Sequence, residues 1–293
     1  MPLTAIPRAP ATTRYGVDVI AVNVTGYGGS PVAIPLVAYL QNCSLKIATD
    51  VLSGRSVLDL DDFSVKGVSG ATLDVSKVAI NTGLPLLALA LADKPYFDAE
   101  IHTAIFGQLF KNAGAGSGKF LITSASLKVS AGVATESLNA VLQGPLVATP
   151  TAGTAPILRV DGPDTMFGSN TVSLGIGGSD FVAFFEDFGV DVSIDTAEGH
   201  AVMDSWKYAT QTGRSVKINA SRVVESKAST AAADNTYWMT LAAARGTVAV
   251  AITVGSKVLA GNAIVEGAEW TSGGNDAQKE TINLRSVGRF TLV

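Results

Sequence analysis

The sequence predicts a mainly β protein: two tandem, similar β-sandwich or barrel domains, residues 1–148 and 149–293, each with one flanking α-helix. Three observations lead there. Apolar and polar residues alternate with period 2 in several segments, the pattern of a half-buried strand. Much of the first half recurs in order in the second at an offset near 145 residues. Each half also carries one Ala- and Leu-rich segment at the same place in the repeat.

The strands come first. Leu45, Ile47 and Thr49 alternate with Lys46, Ala48 and Asp50, and Val190, Val192 and Ile194 alternate with Asp191, Ser193 and Asp195. Leu121, Thr123, Ala125, Leu127 and Val129 oppose Ile122, Ser124, Ser126, Lys128 and Ser130. TVAVAITV (247–254) is apolar throughout, as a strand covered on both faces would be. About six strands per half suit a sandwich or barrel. The helices are placed in LPLLALALADKPYF (84–97) and ASTAAADNTYWMTLAAAR (228–245), with Tyr96-Phe97 and Tyr237-Trp238 as matching core anchors.

The repeat is clearest where VAYLQNCSLKIATDVLSGRSVLD (37–59) lies over VAFFEDFGVDVSIDTAEGHAVMD (182–204) without a gap. Identical pairs are Val37/Val182, Ala38/Ala183, Asp50/Asp195, Gly54/Gly199, Val57/Val202 and Asp59/Asp204. GATLDVSKVA (70–79) follows GRSVKINASRVV (213–224) with gaps, and ALADKPYF (90–97) follows AAADNTYW (231–238). GKFLITSASL (118–127) follows GNAIVEGAEW (261–270), and ESLNAVLQG (136–144) follows ETINLRSVG (280–288). Lead-ins agree too: TRYG (13–16) with TMFG (165–168), and GGS at 28–30 with GGS at 177–179. A Pro- and Thr-rich stretch, PLVATPTAGTAP (145–156), reads as the linker.

Composition narrows the function. Charged residues make up 16% of the chain and mean hydropathy is +0.33, so much of the surface is expected to lie against other subunits. Net charge is −4 with no basic stripe, which disfavours a nucleic-acid grip. The longest greasy run, LPLLALALA (84–92), is too short for a bilayer, no export signal opens the chain, and no membrane partner is expected. The lone Cys43 has no partner for an internal disulfide.

No chemistry gathers. NAGAGSGKF (112–120) imitates a phosphate loop, but Ala113 stands at the first glycine position and Phe120 where a magnesium-binding hydroxyl belongs. Its counterpart GSKVLAGNA (255–263) has Asn262 in place of Lys119, so a turn before a strand is the reading. LGIGGSD (174–180) misses the dinucleotide spacing, LDLDD (58–62) lacks the ligand spacing of a calcium loop, and His102 and His200 have no histidine counterparts. Neither a catalytic residue, a metal site nor a cofactor is expected.

The order of strands and helix, and the closing [ED]-[ST]-[LI]-N-x-x-x-x-G strands at 136–144 and 280–288, resemble the tail tube proteins of long-tailed bacteriophages. The patterned strands 44–51 and 189–196 support the resemblance, which covers both halves. The resemblance implies a structural virion protein without enzymatic activity: three two-domain chains forming a pseudo-hexameric ring, and rings stacking into a hollow tail tube that conducts double-stranded DNA. It implies assembly in the host cytoplasm beside other tail proteins. Asp50, Asp191 and Asp195, on the polar strand faces, are then candidates to line the lumen. A capsid decoration protein or secretion-tube subunit is the alternative, and a hydrolase or lectin-like module the third.

Overall fold

The structure, a computed structural model, describes residues 20–26, 34–35, 40–54, 63–79, 84–103, 108–112, 119–129, 134–150, 172–177, 179–181, 185–201, 204–223, 238–271 and 278–293. The first half contributes β1 (Ile20–Gly26), β2 (Ile34–Pro35), β3 (Leu40–Gly54), β4 (Phe63–Val78), α1 (Pro85–Leu91), β5 (Tyr96–Thr103), β6 (Gln108–Asn112), β7 (Lys119–Val129), β8 (Thr135–Gln143) and β9 (Leu146–Pro150). The second contributes β10 (Val172–Ile176), β11 (Ser179–Phe181), β12 (Phe185–Gly199), β13 (Tyr208–Val223), α2 (Trp238–Ala244), β14 (Thr247–Val254), β15 (Lys257–Thr271) and β16 (Lys279–Leu292). The protein is mainly β, and every named strand pairing is antiparallel.

In the first half the ladder runs β2-β1-β5-β7-β8-β4-β3, and in the second β11-β10-β14-β15-β16-β13-β12. The registers correspond residue by residue. Cys43 opposes Val75 and Phe188 opposes Ala220, both members displaced by 145. Val75 opposes Leu138 and Ala220 opposes Ile282; Ser126 opposes Ser137 and Glu269 opposes Thr281. Phe97 opposes Phe120 as Val248 opposes Ala263, and Val24 opposes Ala99 as Ile176 opposes Val250. The irregularities also correspond: Gln41 and Glu186 are skipped in β3 and β12, and Thr123 and Glu266 in β7 and β15. A bulge re-aims the side chains beyond it, so matched bulges keep the same residues on the core face.

The two ladders join into one 16-stranded sheet because β12 adds to β7. One apolar cluster draws on both halves, including Leu73, Phe97, Phe120, Leu127, Val190, Ile218, Ile252 and Leu284. Phe97 stacks on Phe120 with ring centroids 5.4 Å apart, and Trp238 is fully buried. Each helix spans only 7 residues, too short to persist alone. Helix α1 is held by its apolar side, Leu86, Leu87, Ala90 and Leu91, all buried.

Several expectations are corrected. Helix α1 stops at Leu91, and Tyr96 and Phe97 belong to β5. Pro95 explains this: it has no N–H to continue the helix and it biases Lys94 away from helical dihedrals. The ladder place of Phe97, opposite Phe120, is therefore matched by Val248, opposite Ala263, and not by Trp238, which lies in α2. Helix α2 is described over Trp238–Ala244, and the 228–237 part of its expectation lies outside the described residues. The gaps placed between 70–79 and 213–224 are unnecessary, since Ala71 and Val216 hold equivalent ladder positions. Strand β14 is covered on one face only, with Ala249 and Ala251 exposed while Val250, Ile252 and Val254 are buried. Alanine is small enough to sit on a solvent face at little cost.

Within the expected linker, Leu146–Pro150 form β9 paired with β6; only 151–156 lie outside the described residues. The lead-ins at 13–16 and 165–168, the first GGS (28–30), the acidic LDLDD (58–62) and the glycines at 113–118 also lie outside them. Beyond those glycines Lys119 opens β7, and in the second half Gly255, at φ 60, turns the chain between β14 and β15.

Candidate assembly interface

The join between the halves is the most elaborate feature of the sheet. β7 pairs with β5 only through Phe120 and Leu121; past the bulge at Thr123 its edge is taken by β12, from Ser124 opposite Ser193 to Val129 opposite Phe188. On the core face Val190 meets Leu127 and Val192 meets Ala125, all buried. Side chains then clamp the join from outside it. Arg214 of β13 donates from its two Nη atoms to the carbonyls of Leu91 at 2.7 Å and Ala92 at 2.5 Å, capping the C-terminus of α1. A cation there also complements the negative end of the helix. Arg289 lies 2.7 Å from Asp93, and Lys207 lies 3.4 Å from Asp50. The backbone of 205–207 docks on Ser69, which donates its N–H to Ser205 O and accepts from Lys207 N–H.

The three candidate lumen acids are not equivalent in place. Asp191 and Asp195 lie on the polar face of β12, away from the buried Val190, Val192 and Ile194. Asp191 stands directly between Lys217 of β13 and Ser126 of β7. Asp50 lies at the irregular stretch of β3 and faces Lys207. The polar face therefore mixes signs: Lys128, Lys217 and Arg285 share it with Asp191 and Asp195.

Two buried acids, whose partners are distant in sequence, anchor the helices. Glu280 accepts from Arg222 Nε at 3.1 Å and Nη2 at 2.7 Å through Oε2, and from the Met239 N–H at 2.9 Å through Oε1. Arg222 lies over the Trp238 ring, 4.4 Å from its centroid. In the first half Glu136 accepts from the Leu87 N–H at 3.1 Å, while Lys77 Nζ stays 3.7 Å from Oε2. Both carboxylates are 0% exposed. Burial pushes the Glu136 carboxyl up to about 7, against the opposing pull of Lys77 and the helix N–H groups, and burial lowers Lys77. The acid of the closing [ED]-[ST]-[LI]-N pattern is thus a helix anchor, and the glycine ending that pattern, Gly144 or Gly288, sits at φ 92 or φ 79.

The outer edges of the short strands β2, β9 and β11 lack a second strand among the described residues, and so do two longer edges that match the sides of the join. β3 pairs only with β4, and β15 has no second partner beyond Ile264, where its pairing with β14 ends. Core-face residues there are uncovered: Ile47 is 51% exposed and Trp270 47%, whereas Val192 and Leu127 at the matching positions of the join are 0%. Burial raises the Cys43 thiol to about 11, with Asp74 adding to the shift, so it stays protonated. Among the described residues no group of three or more His, Cys, Asp or Glu could hold a metal, and no helix is long and apolar enough to cross a membrane.

No family model and no curated protein matches the sequence. Among solved structures, the chain is similar to one from the virion of a native gene transfer agent particle, with TM-score 0.37 and 10% identity over 42% of this chain and 95% of that one. It is likewise similar to a chain from the tail of an empty gene transfer agent particle, with TM-score 0.36 and 11% identity over 43% of this chain and 96% of that one. Likeness this distant leaves the function to rest on the chain's own geometry.

Proposed function

We propose that the two halves, 1–148 and 149–293, are copies of one domain, and that the chain is a structural virion protein whose trimer closes a pseudo-hexameric ring of a phage tail tube. The agreement of strand registers and bulges between the halves carries this reading, together with the edge-to-edge β12–β7 join that links them. A head-to-tail join of this kind repeats around an axis, and it closes into a ring when the rotation per domain divides the circle. Three chains then supply six domains. Rings stack into a hollow cylinder alongside other tail proteins, assembled in the host cytoplasm, and double-stranded DNA passes through the lumen. Ring closure pairs the edges at β3 and β15, which explains a chain with 16% charged residues and half-exposed Ile47 and Trp270.

The mixed polar face suits a conduit. Each phosphate neutralised by a bound Lys or Arg releases counterions and adds affinity, so bases offset by acids, as Lys217 is by Asp191, let a duplex slide. Asp191 and Asp195 are the acids proposed for the wall, with Asp50 at its margin. The role is one of scaffold, without catalysis.

Electron microscopy of the purified protein tests the proposal. Hollow rods, or end-on rings with six lobes from three chains, are expected. A protein that stays monomeric at high concentration, or discrete oligomers without a pore that bind capsids, overturns the tube.

A further inference from the structure

The β12–β7 join is a template for the contact between chains. We propose that the β3 edge of one copy adds antiparallel to the β15 edge of another copy, with Lys46 opposite Glu269, Ile47 opposite Ala268 and Leu45 opposite Trp270. This deepens the proposed function, resting on its reading of the halves as copies.

The register follows from ladder positions. Within the join Asp191 opposes Ser126, Val192 opposes Ala125 and Val190 opposes Leu127. The shared pairings put Lys46, Ile47 and Leu45 at the places of Asp191, Val192 and Val190, and Glu269, Ala268 and Trp270 at those of Ser126, Ala125 and Leu127. The two edges are open over this same stretch among the described residues; Ile47 and Trp270, at the places of the buried Val192 and Leu127, are exposed, while Leu45 and Ala268 are half-buried.

Charge supplies an independent argument. The template pairs an acid with a serine, yet the mapped positions hold a base and an acid, both exposed. Within their own ladders neither faces a charge directly: Lys46 opposes Thr72 and Glu269 opposes Thr281. Opposite charges directly across an antiparallel pair stabilise it. Sliding the register by two residues sets Lys46 against Thr271 or Gly267 and loses the pair. Sliding it by one turns Ile47 or Trp270 to the polar face. The join between chains lacks one clamp of the join within a chain, because Ser69 stands where Arg214 reaches the end of α1. Assembly is accordingly reversible and dependent on concentration.

The test uses the full chain with Lys46→Glu, Glu269→Lys and both together, compared by sedimentation velocity over a range of concentrations. Each single variant is expected to raise the concentration for half-assembly roughly fivefold, and the double variant to return it to within about twofold of the starting protein. Singles without effect, or a double no better than either single, overturn the register. A second measurement mixes Ile47→Cys and Ala268→Cys chains, each with Cys43→Ser, under mild oxidation. Disulfide-linked dimers should form in this mixture and in preference to one pairing Ile47→Cys with Trp270→Cys; the reverse preference overturns the register. If the starting protein forms rings while these results fail, only the register is lost. If it forms no assembly at all, the ring reading falls and takes this inference with it.

Discussion

Replacing Glu280 by glutamine should be far more damaging than replacing Glu136, although the two hold matching places in the ladders. The Glu280→Gln amide keeps a carbonyl for the Met239 N–H but removes the charge that Arg222 meets with two nitrogens at 3.1 and 2.7 Å. Arg222 is 7% exposed, so its charge loses a carboxylate partner in a buried setting. Breaking one side of a buried pair costs about 3–5 kcal/mol. For a chain of this size that lowers the melting temperature by on the order of 10 °C. Glu136 differs because burial has already pushed its carboxyl up to about 7, and Lys77 is 3.7 Å away. At pH 6 most of it is the neutral acid, and a glutamine amide replaces it at a cost of about 1 kcal/mol or less. A carboxyl whose folded value lies above the ordinary one favours folding fully below about pH 4.5, and this contribution fades as pH rises through about 7. Glu136→Gln should therefore flatten the fall in stability between these limits. Calorimetry at pH 5, 6 and 7.5 decides. Equal losses for both variants at pH 6, or an unchanged pH slope in Glu136→Gln, would refute the reasoning.

Arg214→Met should lose the cap on α1 and cost about 2 kcal/mol, seen as a lower melting temperature and faster hydrogen exchange in α1. Gly261→Ala should destabilise by about 1–3 kcal/mol, because its new Cβ would lie 2.6 Å from the Phe290 ring. Gly267→Ala, with nothing within 4 Å, is the matched control and should unfold within about 0.5 kcal/mol of the parent in urea. Gly288→Ala should cost about 1 kcal/mol by the same titration, since its φ of +79 suits glycine alone.

Much of the strand plan was legible in the chain. Alternation at Val190, Val192 and Ile194 against Asp191, Ser193 and Asp195 is enough to define a strand with one buried face, because period 2 has no other backbone that satisfies it. The 145-residue offset read along 37–59 and 182–204 is the displacement that the β3–β4 and β12–β13 registers share. Helix ends were not legible: Ala and Leu favour a helix wherever they occur, and only Pro95 and the strand demand of Tyr96 and Phe97 cut α1 short.

What tertiary structure alone decided involves partners far apart in sequence. Nothing local to ETINLRSVG announces that Glu280 meets Arg222, nor that Arg214 reaches back to Leu91, because burial and reach are properties of the assembled sheet. The polar strand face likewise revealed Asp191 and Asp195, but not that Lys217 stands opposite Asp191 or that Asp50 turns to Lys207. Side-chain period is encoded residue by residue; which strands become neighbours is settled only when the ladders close, and the edge that β15 leaves open is visible only then.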